Sequence, residues 1–384
     1  MRVKLVKSVA IVSLLTITVS LYHSYQRLNL SYPEFRVEAN SRNLTQPNSS
    51  PLFESQIIPQ PSYLPAAHSS SFTMMPNGDL LAFWFAGTKE GKPDVKIWYS
   101  VYHDNKWQMA KYLVTPEMIA KANHRYVIKV GNPVIYRAQS GELHLFVVSV
   151  SIGGWSGSAL NHLVSNDDGK TWSQPERIVI SPFFNISTLV RTSAVGLSDG
   201  GFYLPVYHEF IRKYPELLRF NANGEFVEQI RITAKNHMLQ PSVMPTGINT
   251  ALAYFRNSAR LGESRELFAS FTKNGGKSWA IPSATNLSNP DSSLVAANLA
   301  DGRYLMVYND IDRSHLWLGL SIDGLHWKPI YEIENTPDDE FSYPSIQVNQ
   351  KYVDILYTNN RKNIKHVRFN REWINEVIKH ATSN

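Results

Sequence analysis

The chain has 384 residues, 43% of them apolar and 12% aromatic, enough to bury a full core without metals or crosslinks. It contains no cysteine, which excludes disulfides, thiolate metal sites, a thiol nucleophile and lipid attachment at an N-terminal cysteine. The formal charge of +6 comes with no dense Lys/Arg stripe, so nucleic acid is not an expected partner.

At the N-terminus, Arg2, Lys4 and Lys7 precede a mostly apolar run over residues 8–22. A basic flank followed by an apolar stretch is a targeting element. The run is shorter than the roughly 20 residues of a membrane helix. No small-x-small cleavage site follows, because Tyr22-His23-Ser24-Tyr25 comes next. Residues 1–22 are therefore expected to be an uncleaved signal anchor in preference to a cleaved signal peptide. Either would export the rest, membrane-anchored or secreted, to a periplasmic or extracellular location. Residues 23–54 are rich in Asn, Ser and Pro without periodicity, as in a flexible linker.

Two turn motifs then alternate along the chain. The first comprises Asn77-Gly78, Ser140-Gly141, Asp199-Gly200, Thr246-Gly247, Asp301-Gly302 and a weaker Asn349-Gln350, each leading into an alternating apolar strand. The second is Ser165-Asn166-Asp167-Asp168-Gly169-Lys170-Thr171-Trp172, with copies ending at Trp279 and Trp327 and a degenerate one at Trp107. In such turns Asp and Asn fold onto the local backbone, Gly supplies positive φ, and Trp anchors the turn in a core. Six copies of the first motif, about 50 to 60 residues apart, suit four-stranded blades. No convincing long helical period lies between them. The expected fold is all-β, a six-bladed β-propeller over residues 55–372 with a C-terminal tail at 373–384. A seven-bladed propeller or a sandwich fits less well.

In a propeller, chemistry belongs where the innermost strands converge on the central channel, since polar groups there are costly to bury unless paired. Polar residues interrupt the apolar strands at His68, in the loop carrying Glu90 and Asp94, and at Arg191, Glu209, Lys235 and Gln240. Arg256, Arg313, Glu340, Tyr343 and Arg361 continue the series. A single arginine at a strand end is usually a solvated or structural charge, but arginines recur here at equivalent ends of several blades, which would point them at one axis and makes an anion pocket an equal alternative. The acids of the Trp-ended turns are read as turn formers. The usual short metal-binding motifs do not occur, and no cofactor is expected.

With these turns, this blade count and this order, the chain resembles the sialidase superfamily, and more closely the bacterial predicted-sialidase proteins with BNR (Asp-box) repeats. The resemblance runs from residue 68 to about residue 369. It implies a propeller whose pocket holds a substrate carboxylate with three arginines, one of them in an Arg-Ile-Pro motif. It also implies an Asp as acid/base and a Tyr nucleophile activated by a Glu. Carried over, Arg256 and Arg313 match the second and third arginines, and Tyr343 in Phe341-Ser342-Tyr343-Pro344 matches the nucleophile. His68 stands where the first arginine belongs, with Arg191 or Lys235 available to help. Glu90 takes the acid/base place, with Asp94 further on. Gln240 stands where the partner of the tyrosine belongs, and Glu209 is a replacement for it.

These departures have consequences. A histidine lacks the bidentate fork of arginine and is charged only near or below its pKa. A glutamine cannot take a proton from tyrosine, so Tyr343 needs Glu209 or Glu340 as its base. The expected function is an exo-acting glycoside hydrolase releasing a terminal acidic sugar, sialic acid or a relative, from a glycan. The alternatives are a glycosidase or lyase using a carboxylate pair such as Glu90 and Glu209, or a carbohydrate-binding propeller without catalysis.

Overall fold

Six antiparallel sheets, each of four or five strands, follow one another along the chain. They come from a computed structural model that describes residues 13–19, 21–22, 32–37, 50–181, 185–259 and 264–382. The innermost strands are Ala66–Met74 in blade 1, Lys129–Arg137 in blade 2, Met238–Pro245 in blade 4, Val295–Asn298 in blade 5 and Phe341–Val348 in blade 6. In blade 3 two short segments, Leu189–Val190 and Val195–Gly196, share that position. The Asn77-Gly78 family of turns joins each inner strand to the second strand of its blade. The Trp-ended turns join the third and fourth strands. The all-β six-bladed expectation is borne out.

The fold closes by pairing its two ends. Phe53–Ile57 lies antiparallel to Asn363–Asn370 and so becomes the outer strand of blade 6. A ring joined this way leaves only short, protected sheet edges. Clusters of buried apolar side chains lie between blades 1 and 2, 2 and 3, 4 and 5, 5 and 6, and 6 and 1. Phe146, Phe202, Leu204 and Phe220 fill the space between blades 2 and 3, and Leu305, Leu318, Ile355 and Phe369 that between blades 5 and 6.

The chain divides at Pro33 into two units. In the first, residues 13–19 and 21–22 are helical. No helix among the described residues is long and apolar enough to cross a membrane. Arg2, Lys4, Lys7 and most of the 23–54 segment lie outside the described residues. In the second unit, part of the segment expected to be linker is docked. Phe35 is 1% exposed, bridges Leu197 and donates its N–H to the Ile248 carbonyl at 2.6 Å. The expected tail at 373–384 is also structured. The helix Arg371–Thr382 buries Ile374 and stacks Trp373 against Phe53, with ring centroids 4.7 Å apart. Phe35 is a single aromatic anchor in a polar segment and gives no periodicity, whereas Trp373, Ile374, Val377 and Ile378 follow a helical spacing too short to stand out beside the strands. A short helix, Pro116–Asn123, also escapes a search for long periods, though Thr115 caps it and Pro116 opens it.

Candidate active site

The inner strands are not regular where they enter the channel. In blades 1, 2, 4 and 6 the pairing skips, so that two residues oppose one, at Ser69-Ser70, Asn132-Pro133, Gln240-Pro241 and Tyr343-Pro344. Three of the four carry a proline at the second position, a residue that suits a bulge on an edge strand because it has no N–H to pair. The first residue of each is left-handed: Ser69 at φ 62°, Asn132 at 40°, Gln240 at 48° and Tyr343 at 56°. A positive φ is an uncommon conformation for a residue as bulky as tyrosine, and such strain marks a position held by its surroundings. The bulges turn these side chains into the channel.

Tyr343 is the centre of the group they form. Its phenolic oxygen accepts an N–H from Arg256 at 2.9 Å and another from Gln240 at 3.2 Å. No described residue accepts the phenolic proton. The Arg191 guanidinium lies 5.0 Å and that of Arg313 5.9 Å from the ring centroid, and the His68 ring is 4.2 Å away. Residues from blades 1, 3, 4 and 5 thus converge on one side chain of blade 6. Gln240 also donates to the Tyr207 hydroxyl at 3.3 Å, which accepts from Asn132 at the same distance.

The arginines differ in how they are held. Arg191 is fully buried and bridges blades 6 and 1, donating to the Pro344 carbonyl at 2.8 Å and to the Ser70 carbonyl at 3.1 Å. Both acceptors belong to bulges, so this arginine fastens the bulges themselves. Burial lowers it to about 10, with Tyr343 and Tyr207 opposing. Arg256 pairs with Asp291 at 2.7 Å. Burial would depress it, but Tyr343 and Asp291 hold it above its ordinary value. Arg313 and Arg361 share Glu340, at 3.0 and 2.7 Å. Burial would raise the Glu340 carboxyl, but Arg361, Ser342 and Arg313 keep it below the usual range. Glu340 is therefore a clamp for two cations and a poor base for Tyr343.

His68 does not supply a positive charge. Burial, followed by the fields of Arg361, Arg191, Arg313 and Arg256, holds its imidazole well below its ordinary value. Both ring nitrogens are buried without a hydrogen-bond partner. The ring borders a cavity of about 280 Å³ that Ala66, Phe85, Val95 and Trp155 make largely apolar and Glu90, Lys129 and Arg361 make polar on one side.

The expected site residues thus divide. Tyr343, Arg256, Arg313, Arg191, His68 and Gln240 come together. Glu90 borders the same cavity and pairs with Arg361 at 2.6 Å. Glu209 sits close enough to Tyr207 and Arg256 to influence both. Burial pushes its carboxyl above the ordinary range, against Lys213 and Arg256. Asp94 turns back on its own loop, accepting from the Thr88 N–H at 2.7 Å and hydroxyl at 2.8 Å. Lys235 is exposed, with its ammonium 3.4 Å from the Phe268 ring centroid. Sequence reasoning gave no role to Tyr207, Asp291, Lys129 or Trp155, and Arg361 was noted only as a polar residue of its blade. The recurring X-Pro step in three inner strands was the available signal for the bulge positions. Among the described residues no cluster of three His, Asp or Glu side chains could hold a metal ion.

Comparison with known proteins agrees with this architecture. A sialidase of Bacteroides fragilis (strain YCH46) is 22% identical over 251 residues, which cover 59% of this chain and 45% of that protein. The chain thus spans about half the length of that relative. A Hadza microbial sialidase superposes with a TM-score of 0.66 at 16% identity, covering 80% of this chain and 66% of the other. The NanB sialidase from Streptococcus pneumoniae gives 0.65 at 11%, covering 85% and 72%. At these identities the structural likenesses show a common fold. The BNR repeat-like domain family matches residues 78–355, most of the chain, and the protein belongs to that family.

Proposed function

We propose that this propeller is an exo-acting glycoside hydrolase for a terminal acidic sugar, with Tyr343 as its nucleophile. The observation that carries the reading is the convergence on Tyr343 of Arg256, Gln240, Arg191, Arg313 and His68. Arg256 and Arg313 take the substrate carboxylate, and His68 adds an uncharged ring nitrogen, which suits a hydroxyl or amide of the sugar better than its anion. Arg191 keeps the bulges in place. A neutral phenol avoids the repulsion a carboxylate nucleophile would meet beside an anionic sugar.

In this reading the Tyr343 oxygen forms a bond to the anomeric carbon as the bond to the leaving oxygen breaks. Glu90, released from Arg361 and protonated, gives its proton to that leaving oxygen, and Glu209 takes up the phenolic proton. Water, deprotonated by Glu90, then displaces the tyrosine, which recovers its proton from Glu209, with retention of configuration. The N-terminal basic and apolar segment, as a signal anchor or signal peptide, would place this chemistry outside the cytoplasm, where glycans are met.

One observation favours the non-catalytic reading: Gln240 donates to the phenol, so no base touches it. The experiment that separates the readings is hydrolysis of a fluorogenic sialic acid glycoside by the full chain, with Tyr343→Phe and Glu90→Gln alongside. Turnover lost in both variants supports the proposal. Equal turnover in all three sinks it. Binding of acidic glycans without turnover in any of them leaves a binding propeller.

A further inference from the structure

We infer that the opposite mouth of the channel is a second binding site, for a carboxylated saccharide unit, with Arg36 and Arg137 as its anion clamp. The site described above lies at the first residues of the inner strands. At their last residues opens a cavity of about 480 Å³, reached by Thr73, Arg137 and Asn349, with Ser193 of blade 3 on its wall. From Tyr343 to Asn349 the strand runs six residues, about 20 Å, so the two sites are separate. A smaller cavity of about 240 Å³ continues beneath blades 3 to 6 and shares Arg36 and Ser193. No carboxylate lines either cavity among the described residues.

Arg36 is delivered there by the docked segment 34–36. Its N–H bonds the Gly196 carbonyl at 2.9 Å, and the Ser198 N–H bonds the Glu34 carbonyl at 2.8 Å. A methyl group at Gly196 would come within 3.2 Å of the Arg36 guanidinium carbon and 2.9 Å of the Tyr136 hydroxyl, so the absence of a side chain lets the guanidinium lie against the strand.

The two mouths treat arginine differently. Near Tyr343, Arg256, Arg313 and Arg361 each have a carboxylate partner. At the far mouth neither the Arg36 nor the Arg137 side chain has an ion pair or a hydrogen bond among the described residues. The Arg137 Nε and the Tyr136 hydroxyl are buried and unpartnered, and Tyr136 as a whole is 8% exposed. Buried donors left unmade are expensive unless something fills them. Two guanidinium forks without a counter-ion select a planar anion such as a carboxylate. Gln139, Asn349 and Ser193 add amide and hydroxyl groups suited to sugar hydroxyls, and the volume lies in the roughly 300–1,000 Å³ range of small-ligand sites.

The test is calorimetric titration of the full chain with a glucuronate-containing tetrasaccharide, a neutral tetrasaccharide and inorganic sulfate. The acidic tetrasaccharide should bind, and Arg36→Ala/Arg137→Ala should weaken it by about tenfold or more, while Arg313→Ala leaves that binding in place. Gln139→Glu, at an exposed rim position that folding does not need, should weaken it too. Binding that neither change affects overturns the inference. So does equal affinity for the neutral tetrasaccharide, or sulfate bound at these arginines with no saccharide binding that depends on them. Because binding is read directly, absence of hydrolysis at Tyr343 does not bear on it.

Discussion

The Trp-ended turns at the blade rims and the bulges at the channel mouth both rest on left-handed residues, yet only the turns repeat in sequence. In the turn at 165–172, Ser165 donates to Asp167, Asp167 accepts from the Thr171 N–H, and the Trp172 indole donates to the Gly169 carbonyl at 3.1 Å. The turns at Trp279 and Trp327 repeat the set, with the indole bonds at 3.0 and 3.1 Å. Every partner in this repeated set is within a few residues, and the longer bonds from Tyr203 to the Gly275 carbonyl and from Tyr254 to the Gly324 carbonyl are additions to a turn already closed locally. The bulges are completed from elsewhere: Gln240 meets Tyr343 across 103 residues and Arg256 meets it across 87. Repetition marks self-sufficient structure, and the positions where blades diverge carry the candidate chemistry.

That contrast can be broken by experiment. Tyr343→Phe should lower turnover by about 10³-fold or more while leaving the unfolding temperature unchanged, measured by steady-state kinetics and calorimetry. Trp327→Ala should do the reverse. Trp327 is 3% exposed in the core between blades 4 and 5, so its loss should cost about 3–5 kcal/mol in denaturant unfolding with kcat of the folded protein intact. A rim variant that abolished turnover without unfolding would overturn the division. Arg191→Met should fall between the two. It strands the Ser70 and Pro344 carbonyls, at about 1–3 kcal/mol, and lowers kcat more than it raises KM by loosening the Tyr343 bulge.

The smallest expected effect is a pH dependence of stability. Burial lowers His68 and also His162, the latter to about 3, with His144 adding to the effect. Between about 3 and the ordinary 6.5 the unfolded chain binds more protons at His162 than the folded one, and His68 shifts in the same direction. Stability should therefore decline as pH falls below about 6.5. His162→Phe should flatten the decline in unfolding midpoints between pH 6.5 and 4, and an unchanged slope would remove His162 from the account.

Much of the candidate site was legible. Tyr343, Arg256, Arg313, Arg191, His68, Gln240, Glu90 and Glu209 could be named from clusters and from the family pattern. Asp94 was indistinguishable from Glu90 at that level, because whether a loop acid serves its own backbone depends on the loop's path. Arg361 and Asp291 could not be assigned roles, since an arginine in a hairpin is usually solvated and only the meeting of blades 6 and 1 gives it Glu340 and Glu90 as partners. The charge on His68 was equally out of reach, because it is set by burial and by four guanidinium groups from distant segments.

The sequence alone determined the class, the blade count and the places where each blade turns, because alternation and turn chemistry act over a few residues. Tertiary structure decided which polar side chains share the channel, which arginine fastens backbone and which are paired with acids. It also decided that residues 34–36 reach the far mouth. Those outcomes depend on burial and on partners tens to hundreds of residues away, which local pattern does not encode.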